Sequence, residues 1–99
     1  MSDIEEMKHH PPPQFITLKV KSFAILREII GKEQMTLQLP LKDEATTVAD
    51  LRMRVLELYP AISAQRIVMA IAVNAKMAND KSILNDFDEI ALLPPISGG

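Results

Sequence analysis

Only one stretch of this chain has helical spacing long enough to cover a sheet, and that constrains the fold more than any other feature. Val48, Leu51, Val55, Leu56 and Leu58 recur at the three- and four-residue steps of an amphipathic helix. Thr46 or Thr47 can open it by accepting backbone N–H bonds as an N-cap, and Pro60 closes it. The remaining apolar residues of a 99-residue chain must be organised around that helix, in one core.

Most of them alternate. Phe15, Ile16, Leu18 and Val20, with Thr17, Lys19 and Lys21 between, predict a strand over Phe15 to Phe23 with one face buried. Ala24 to Ile30 reads as a short helix closed by Gly31, a residue suited to a left-handed C-cap. Met35, Leu37 and Leu39 alternate again until Pro40, so an antiparallel pair across that short helix is expected.

Ile67 to Val73 is nearly continuous in apolar residues, which predicts a strand buried on both faces near the centre of the sheet. Asn74 to Asp80 reads as a turn and a short strand around Met77, Ile83-Leu84 as a brief turn packed on the core, and Glu89 to Leu93 as the last strand. This order makes an α+β roll, a mixed sheet of about five strands under one main helix.

Residues 1–14 hold charged residues, His9-His10 and Pro11-Pro12-Pro13, and are expected to form a flexible, solvated arm. The domain is expected over residues 15–94 and an extended tail over 95–99. No internal repeat is visible.

Several function classes are disfavoured. A net charge of −2 provides no basic surface to neutralise several phosphates, so nucleic acid is not an expected partner. With no cysteine there is no disulfide, thiolate metal site or cysteine nucleophile, and any sulfur handled must come from elsewhere. His9 and His10 lack a third ligand, and no metal is expected. The start is acidic without a signal-peptide run, and no stretch approaches the ~18 apolar residues of a membrane span; a cytoplasmic protein without membrane contact is expected.

Glu5, Glu6, Asp43 and Glu44 read as solubilising charges rather than an acid-base pair. Arg27 and Glu28 read as a solvated pair, with contact to a partner as the alternative. Asn74, between a buried strand and a turn, reads as a structural residue.

The end of the chain is the chemical feature. Pro94 and Pro95 cannot donate ladder hydrogen bonds, so the last strand stops and the chain leaves the sheet stiffly. Extended at ~3.1 Å per residue, Pro94 to Gly99 reaches on the order of 18 Å, enough to enter a partner's active site. Gly98 and Gly99 lack a Cβ and pass a channel too narrow for other residues. If Gly99 is the true carboxyl end, its carboxylate can attack the α-phosphate of ATP, and a sulfur nucleophile can then displace AMP to leave a thiocarboxylate.

From Phe15 onward the chain resembles the family of molybdopterin synthase small subunits. The resemblance is carried by Phe23-Ala24-Ile25-Leu26-Arg27-Glu28, Thr47-Val48-Ala49-Asp50-Leu51, Tyr59-Pro60, Ala72-Val73-Asn74 and the ending Asp88-Glu89-Ile90-Ala91-Leu92-Leu93-Pro94-Pro95-Ile96-Ser97-Gly98-Gly99. It implies a β-grasp, ubiquitin-like fold. It also implies a non-catalytic sulfur carrier for molybdenum cofactor biosynthesis, working in a heterotetramer with the large subunit.

By that resemblance Gly99 is adenylated by a ubiquitin-activating-like enzyme, loaded by a sulfur donor protein, and inserted into the large subunit. There it donates sulfur to cyclic pyranopterin monophosphate. ATP is consumed by the activating enzyme, and no cofactor is held permanently. Gly98 permits channel entry, and Pro94, Pro95, Ile96 and Ser97 form the inserted tail. Leu93 and Met77 match apolar positions packed on the large subunit, although Leu93 suits a core equally and Met77 suits an adaptable contact.

Carriers for thiamine or for tRNA thiolation, and a ubiquitin-like module that docks without transferring, are the alternatives. One departure stands out: the family usually has Asp-Gly-Asp before the last strand, and this chain has Asp86-Phe87-Asp88. If that turn needs positive φ, Phe87 is strained.

Overall fold

The structure, a computed structural model, describes residues 14–95. The arm as far as Pro13, with His9 and His10, and Ile96, Ser97, Gly98 and Gly99 of the tail lie outside the described residues.

Strand β1 (Phe15–Ser22) and strand β2 (Gln34–Pro40) pair antiparallel from Phe15 opposite Pro40 to Lys21 opposite Gln34. Helix α1 (Ala24–Ile30) bridges them and ends on Gly31 at φ 82, the left-handed cap expected of that glycine. The strand is one residue shorter than its pattern. Phe23 keeps extended dihedrals but serves as the N-cap of α1.

Helix α2 (Val48–Leu58) is the covering helix, and the choice between its two candidate caps is resolved. Thr47 is the N-cap, and the Asp50 carboxylate accepts both the Thr47 backbone N–H (2.9 Å) and its hydroxyl (3.2 Å). Thr46 is buried instead: its hydroxyl donates to the Pro40 carbonyl (2.7 Å) and accepts the Lys42 N–H (3.1 Å), closing the loop after β2. The first N–H groups of α2, from Val48 and Ala49, donate to the Ser82 and Asp80 carbonyls.

Pro60 does not end helical structure. It takes αR dihedrals and starts a one-turn helix α3 (Ala61–Ala64), which seats fully buried Ile62 in the core. Periodicity cannot reveal so short an element.

The expected strand over Ile67 to Val73 needs correction. Arg66 turns the chain at φ 57, the Ile67 N–H returns to the Ile62 carbonyl, and Val68 is exposed. Strand β3 is only Ala70–Val73, and only Ile71 and Ala72 within it are buried. A tight turn leads to β4 (Lys76–Met77), and β5 (Glu89–Leu93) follows a loop in which Leu84 is buried and Ile83 exposed.

The sheet order is β2-β1-β5-β3-β4, with β1 and β5 parallel and the other neighbours antiparallel. This mixed sheet under one main helix is the β-grasp roll. Ile16, Leu18, Val20, Leu37, Leu39, Ile71, Ile90 and Leu92 share its inner face and pack with Val48, Leu51 and Val55 of α2. Among the described residues no helix is long and apolar enough to cross a membrane.

Candidate functional site

The tail leaves the domain at Pro94, so its surroundings follow from the register of β5. Ile90 and Leu92 point into the core. Glu89, Ala91 and Leu93 therefore face outward, on the side α2 does not cover. Leu93 is half-buried and pairs with Ala70; Ala91 pairs with Ala72, and Ala72 with Met77.

Leu93 thus belongs to the outer face and not to the core cluster. Met77 shares that face at the sheet's edge and is 66% exposed. One row of paired residues crosses the sheet as Gln34, Lys21, Ala91, Ala72 and Met77. Along this row the β2–β1 end is polar and the β5–β3–β4 end apolar, while Glu89 of β5 pairs with Lys19 further along the face.

Phe23 extends the apolar half. It lies one residue past the pair Ser22–Leu92, donates its N–H to the Leu92 carbonyl (3.2 Å), and is 42% exposed. An aromatic ring therefore stands at the root of the tail. Sequence reading had placed Phe23 in a strand and in a motif but not at a site. The available signal was its phase, since Phe23 continues the outward alternation of Lys19 and Lys21.

Pro94 is half-buried and Pro95 exposed, and β5 stops at Leu93 as two prolines require. The structure thus assembles Leu93, Met77, Pro94 and Pro95 of the candidate site on one side of the domain and adds Phe23. Ile96, Ser97, Gly98 and Gly99 lie outside the described residues. Arg27 pairs with Glu33 at 3.7 Å across exposed surface. The Glu28 side of α1 is exposed too.

The opposite end of β5 is held by a hydrogen-bonded clamp. Asp88, buried, accepts the Asn85 N–H (2.8 Å) and the Asn74 side-chain amide (2.9 Å). Asn74 Oδ1 accepts the Glu89 N–H (2.9 Å), the structural use expected of it. Asp86 Oδ1 accepts the Thr17 N–H (2.7 Å), and the Phe87 N–H donates to the Thr17 carbonyl (2.6 Å).

Within this clamp Phe87 has φ 66, so the turn does need the left-handed conformation that the family meets with glycine. Phe87 is 65% exposed, so little burial is available to offset the backbone cost. The effect is local: the clamp aligns β5 with β1 and β3, which sets where Leu93 and the tail emerge.

Comparison with known proteins agrees with this architecture. The molybdopterin synthase sulfur carrier subunit of Dictyostelium discoideum is 41% identical over 83 residues, which cover 82% of this chain and 94% of that protein. A putative molybdopterin converting factor subunit 1 from Pyrococcus furiosus superposes with a TM-score of 0.71 at 25% identity, over 82% of this chain and 99% of that one. A chain from the complex of subunits 1 and 2 of the molybdopterin-converting factor from Helicobacter pylori superposes at 0.55 with 29% identity, over 85% of this chain and all of that one. The ThiS family profile matches residues 20–99, from the middle of β1 through the outward face of β5 to the terminal glycines. With all of the sheet except the first five residues of β1, the tail root and the last residues inside that match, the chain belongs to the ThiS family.

Proposed function

We propose that this chain is the sulfur carrier subunit of a molybdopterin synthase, loaded and discharged at Gly99. The observation that carries the reading is the placement of the tail root. Leu93, Ala91, Ala72 and Met77 make an outward apolar strip beside exposed Phe23, and the chain runs from that strip into Pro94-Pro95. A partner that covers the strip receives the tail in a fixed direction. The Helicobacter pylori chain was solved in a complex of subunits 1 and 2, which supports a large subunit as that partner.

The chemistry needs no side chain of this domain. A carboxylate oxygen of Gly99 attacks the α-phosphorus of ATP in an adenylating enzyme, and pyrophosphate leaves. A sulfide-level nucleophile from a sulfur donor protein then attacks the acyl carbon, AMP leaves, and a thiocarboxylate remains. Gly98 and Gly99 admit the tip to the large subunit's active site, where it gives up sulfur to cyclic pyranopterin monophosphate. A dithiolene needs two such transfers, so two loaded tails are used. The large subunit supplies the catalytic groups, and the working assembly is a heterotetramer in the cytoplasm.

The test mixes enzymatically thiocarboxylated protein with a molybdopterin synthase large subunit and cyclic pyranopterin monophosphate, and assays dithiolene formation. Product that disappears on deletion of Gly98-Gly99 supports the reading. No product from a verified thiocarboxylate and a competent large subunit overturns it. Activity that survives the deletion indicates a docking module instead.

A further inference from the structure

Strand β2 is an edge of the sheet. Its free backbone groups follow from the antiparallel alternation. The Leu41 N–H donates to the Gln14 carbonyl and the Ser22 N–H to the Glu33 carbonyl, so Met35, Leu37 and Leu39 are the β2 positions bonded to β1. The N–H and C=O groups of Gln34, Thr36 and Gln38 point the other way, with no partner among the described residues.

Sheet edges are ordinarily kept from pairing by short length, charge, proline or a bulge. The opposite edge meets that rule, because β4 is two residues long and one of them is Lys76. β2 does not. Gln34–Pro40 spans seven residues, carries no charge, and has its one proline at the end. The ionic side chains between this edge and α2 cancel, since Lys42 pairs with Asp50 and Arg54 with Glu57. No charge is left over there to select an acidic or a basic partner. What the edge offers is backbone hydrogen bonds, and an antiparallel edge offers the same set to its own copy.

We propose that two copies of this chain join along β2, antiparallel about a two-fold axis at Thr36, so that their two sheets become one. In that register Thr36 faces Thr36 of the second copy, and Gln34 and Gln38 of each copy face Gln38 and Gln34 of the other. All of these positions hold free N–H and C=O groups, so every facing pair exchanges two N–H···O bonds. Sliding the strands by two residues one way brings Pro40, which has no N–H, opposite Gln34. Sliding them the other way sets Gln38 against Lys32, outside the strand. The register centred on Thr36 therefore satisfies the edge best.

Side chains agree with this register on both faces. Gln34, Thr36 and Gln38 are exposed on the outer face. There they form a Thr–Thr pair flanked by Gln–Gln pairs, with no like charges opposed. On the inner face half-buried Met35 meets Leu37 of the second copy, which carries the core across the seam. The nearest outward charges in these strand rows are Lys19 of the two copies, each beside its own Thr36. They lie three strand spacings apart, about 14 Å, beyond the ~8 Å screening length at physiological salt. The strip from Leu93 to Met77 and the chain at Pro94 stay uncovered, because β1 separates β2 from β5.

The test is a dilution series of the full chain, followed by sedimentation and by NMR amide exchange. A seam this short falls below the standard interface size, and dimerisation on the order of 0.1–1 mM is expected. Exchange at Gln34, Thr36 and Gln38 should slow as concentration rises. Thr36→Pro, whose lost N–H faces away from β1, should fold and should weaken the dimer about tenfold or more. Thr36→Glu and Thr36→Lys should each weaken it roughly fivefold, since like charges then meet at the axis, and an equimolar mixture of the two should restore it. Circular dichroism checks the fold of each variant, and the charge pair decides if the proline variant unfolds. A monomer at every concentration, protection that is independent of concentration, a dimer that tolerates a folded Thr36→Pro, or a mixture that restores nothing overturns the proposal.

Discussion

The side-chain amide of Asn74 donates to Oδ1 of Asp88 at 2.9 Å, tying the turn after β3 to the turn before β5. The two residues are 14 apart in sequence, and the bond sets the start of the only strand that leads to the tail. Asp88 is buried with both carboxylate oxygens engaged, so removing the Asn74 amide leaves Oδ1 without its donor while Oδ2 keeps the Asn85 N–H.

Asn74→Ala is therefore expected to destabilise the domain by about 1–3 kcal/mol. Urea unfolding followed by circular dichroism measures it. A change under about 0.5 kcal/mol, the scatter of surface substitutions, would show that water replaces the amide freely.

Phe87 holds a left-handed backbone conformation with its ring in solvent. Relief of that strain is worth about 1–2 kcal/mol for a residue with a Cβ, and the extra chain entropy of glycine takes back roughly 0.5–1 kcal/mol. Phe87→Gly should raise stability by a net of about 0.5–1 kcal/mol. A lower unfolding midpoint would mean that the phenyl ring packs favourably.

Asp50 titrates below the ordinary carboxylate value of 3.8, chiefly because it accepts a hydrogen bond from the Lys42 ammonium and then because it accepts the Thr47 backbone N–H. A depressed folded-state pKa contributes stability that is complete above the unfolded value and fades as pH falls through the folded one. As pH falls through and below the ordinary carboxylate value of 3.8, the native chain should lose stability more steeply than Asp50→Asn. At neutral pH the variant should be weaker by about 0.5–2 kcal/mol, as for a lost helix cap. Parallel stability-versus-pH curves would sink the assignment.

Met77 sits on a two-residue edge strand, 66% exposed and outside the core cluster. Met77→Asp is expected to leave the unfolding midpoint nearly unchanged while weakening binding to a large subunit tenfold or more, about 1.4 kcal/mol. Lys21→Ala, in the polar half of the same outer face, serves as the control and should alter affinity little. Titration calorimetry separates the two; equal affinities would remove the apolar strip from the interface.

The elements legible in the sequence are those with a long period. α2 emerges from Val48, Leu51 and Val55 because a helix that covers a sheet must repeat its apolar face over three turns. β1 emerges because three inward apolar residues, Ile16, Leu18 and Val20, alternate with Thr17, Lys19 and Lys21. Ile67 to Val73 misled because apolar content without a period does not say where pairing begins. The positive φ at Arg66 and the return of Ile67 to Ile62 delay it to Ala70. Helix α3 stayed hidden because α2 ends at Leu58, and Pro60, which reads as a stop, is instead the N-cap of one turn too short to show a period. Thr46 and Thr47 were indistinguishable as caps, since only the return of the chain at Pro40 gives Thr46 another use.

The sequence by itself determined that the chain has one covering helix, alternating strands, no cysteine thiol, and two prolines ahead of Gly98-Gly99. Those properties are local: each is a residue type or a short period, and neighbouring residues suffice to express it. What tertiary structure alone decided is the outer face. Alternation says that Leu93 differs in side from Leu92, but only the parallel pairing of β5 with β1 and its antiparallel pairing with β3 choose which of them meets the helix. One helix covers one face of a five-stranded sheet, so whatever that pairing turns outward stays uncovered. Phe23, Leu93 and Met77, remote in sequence, come to share one outer face for that reason.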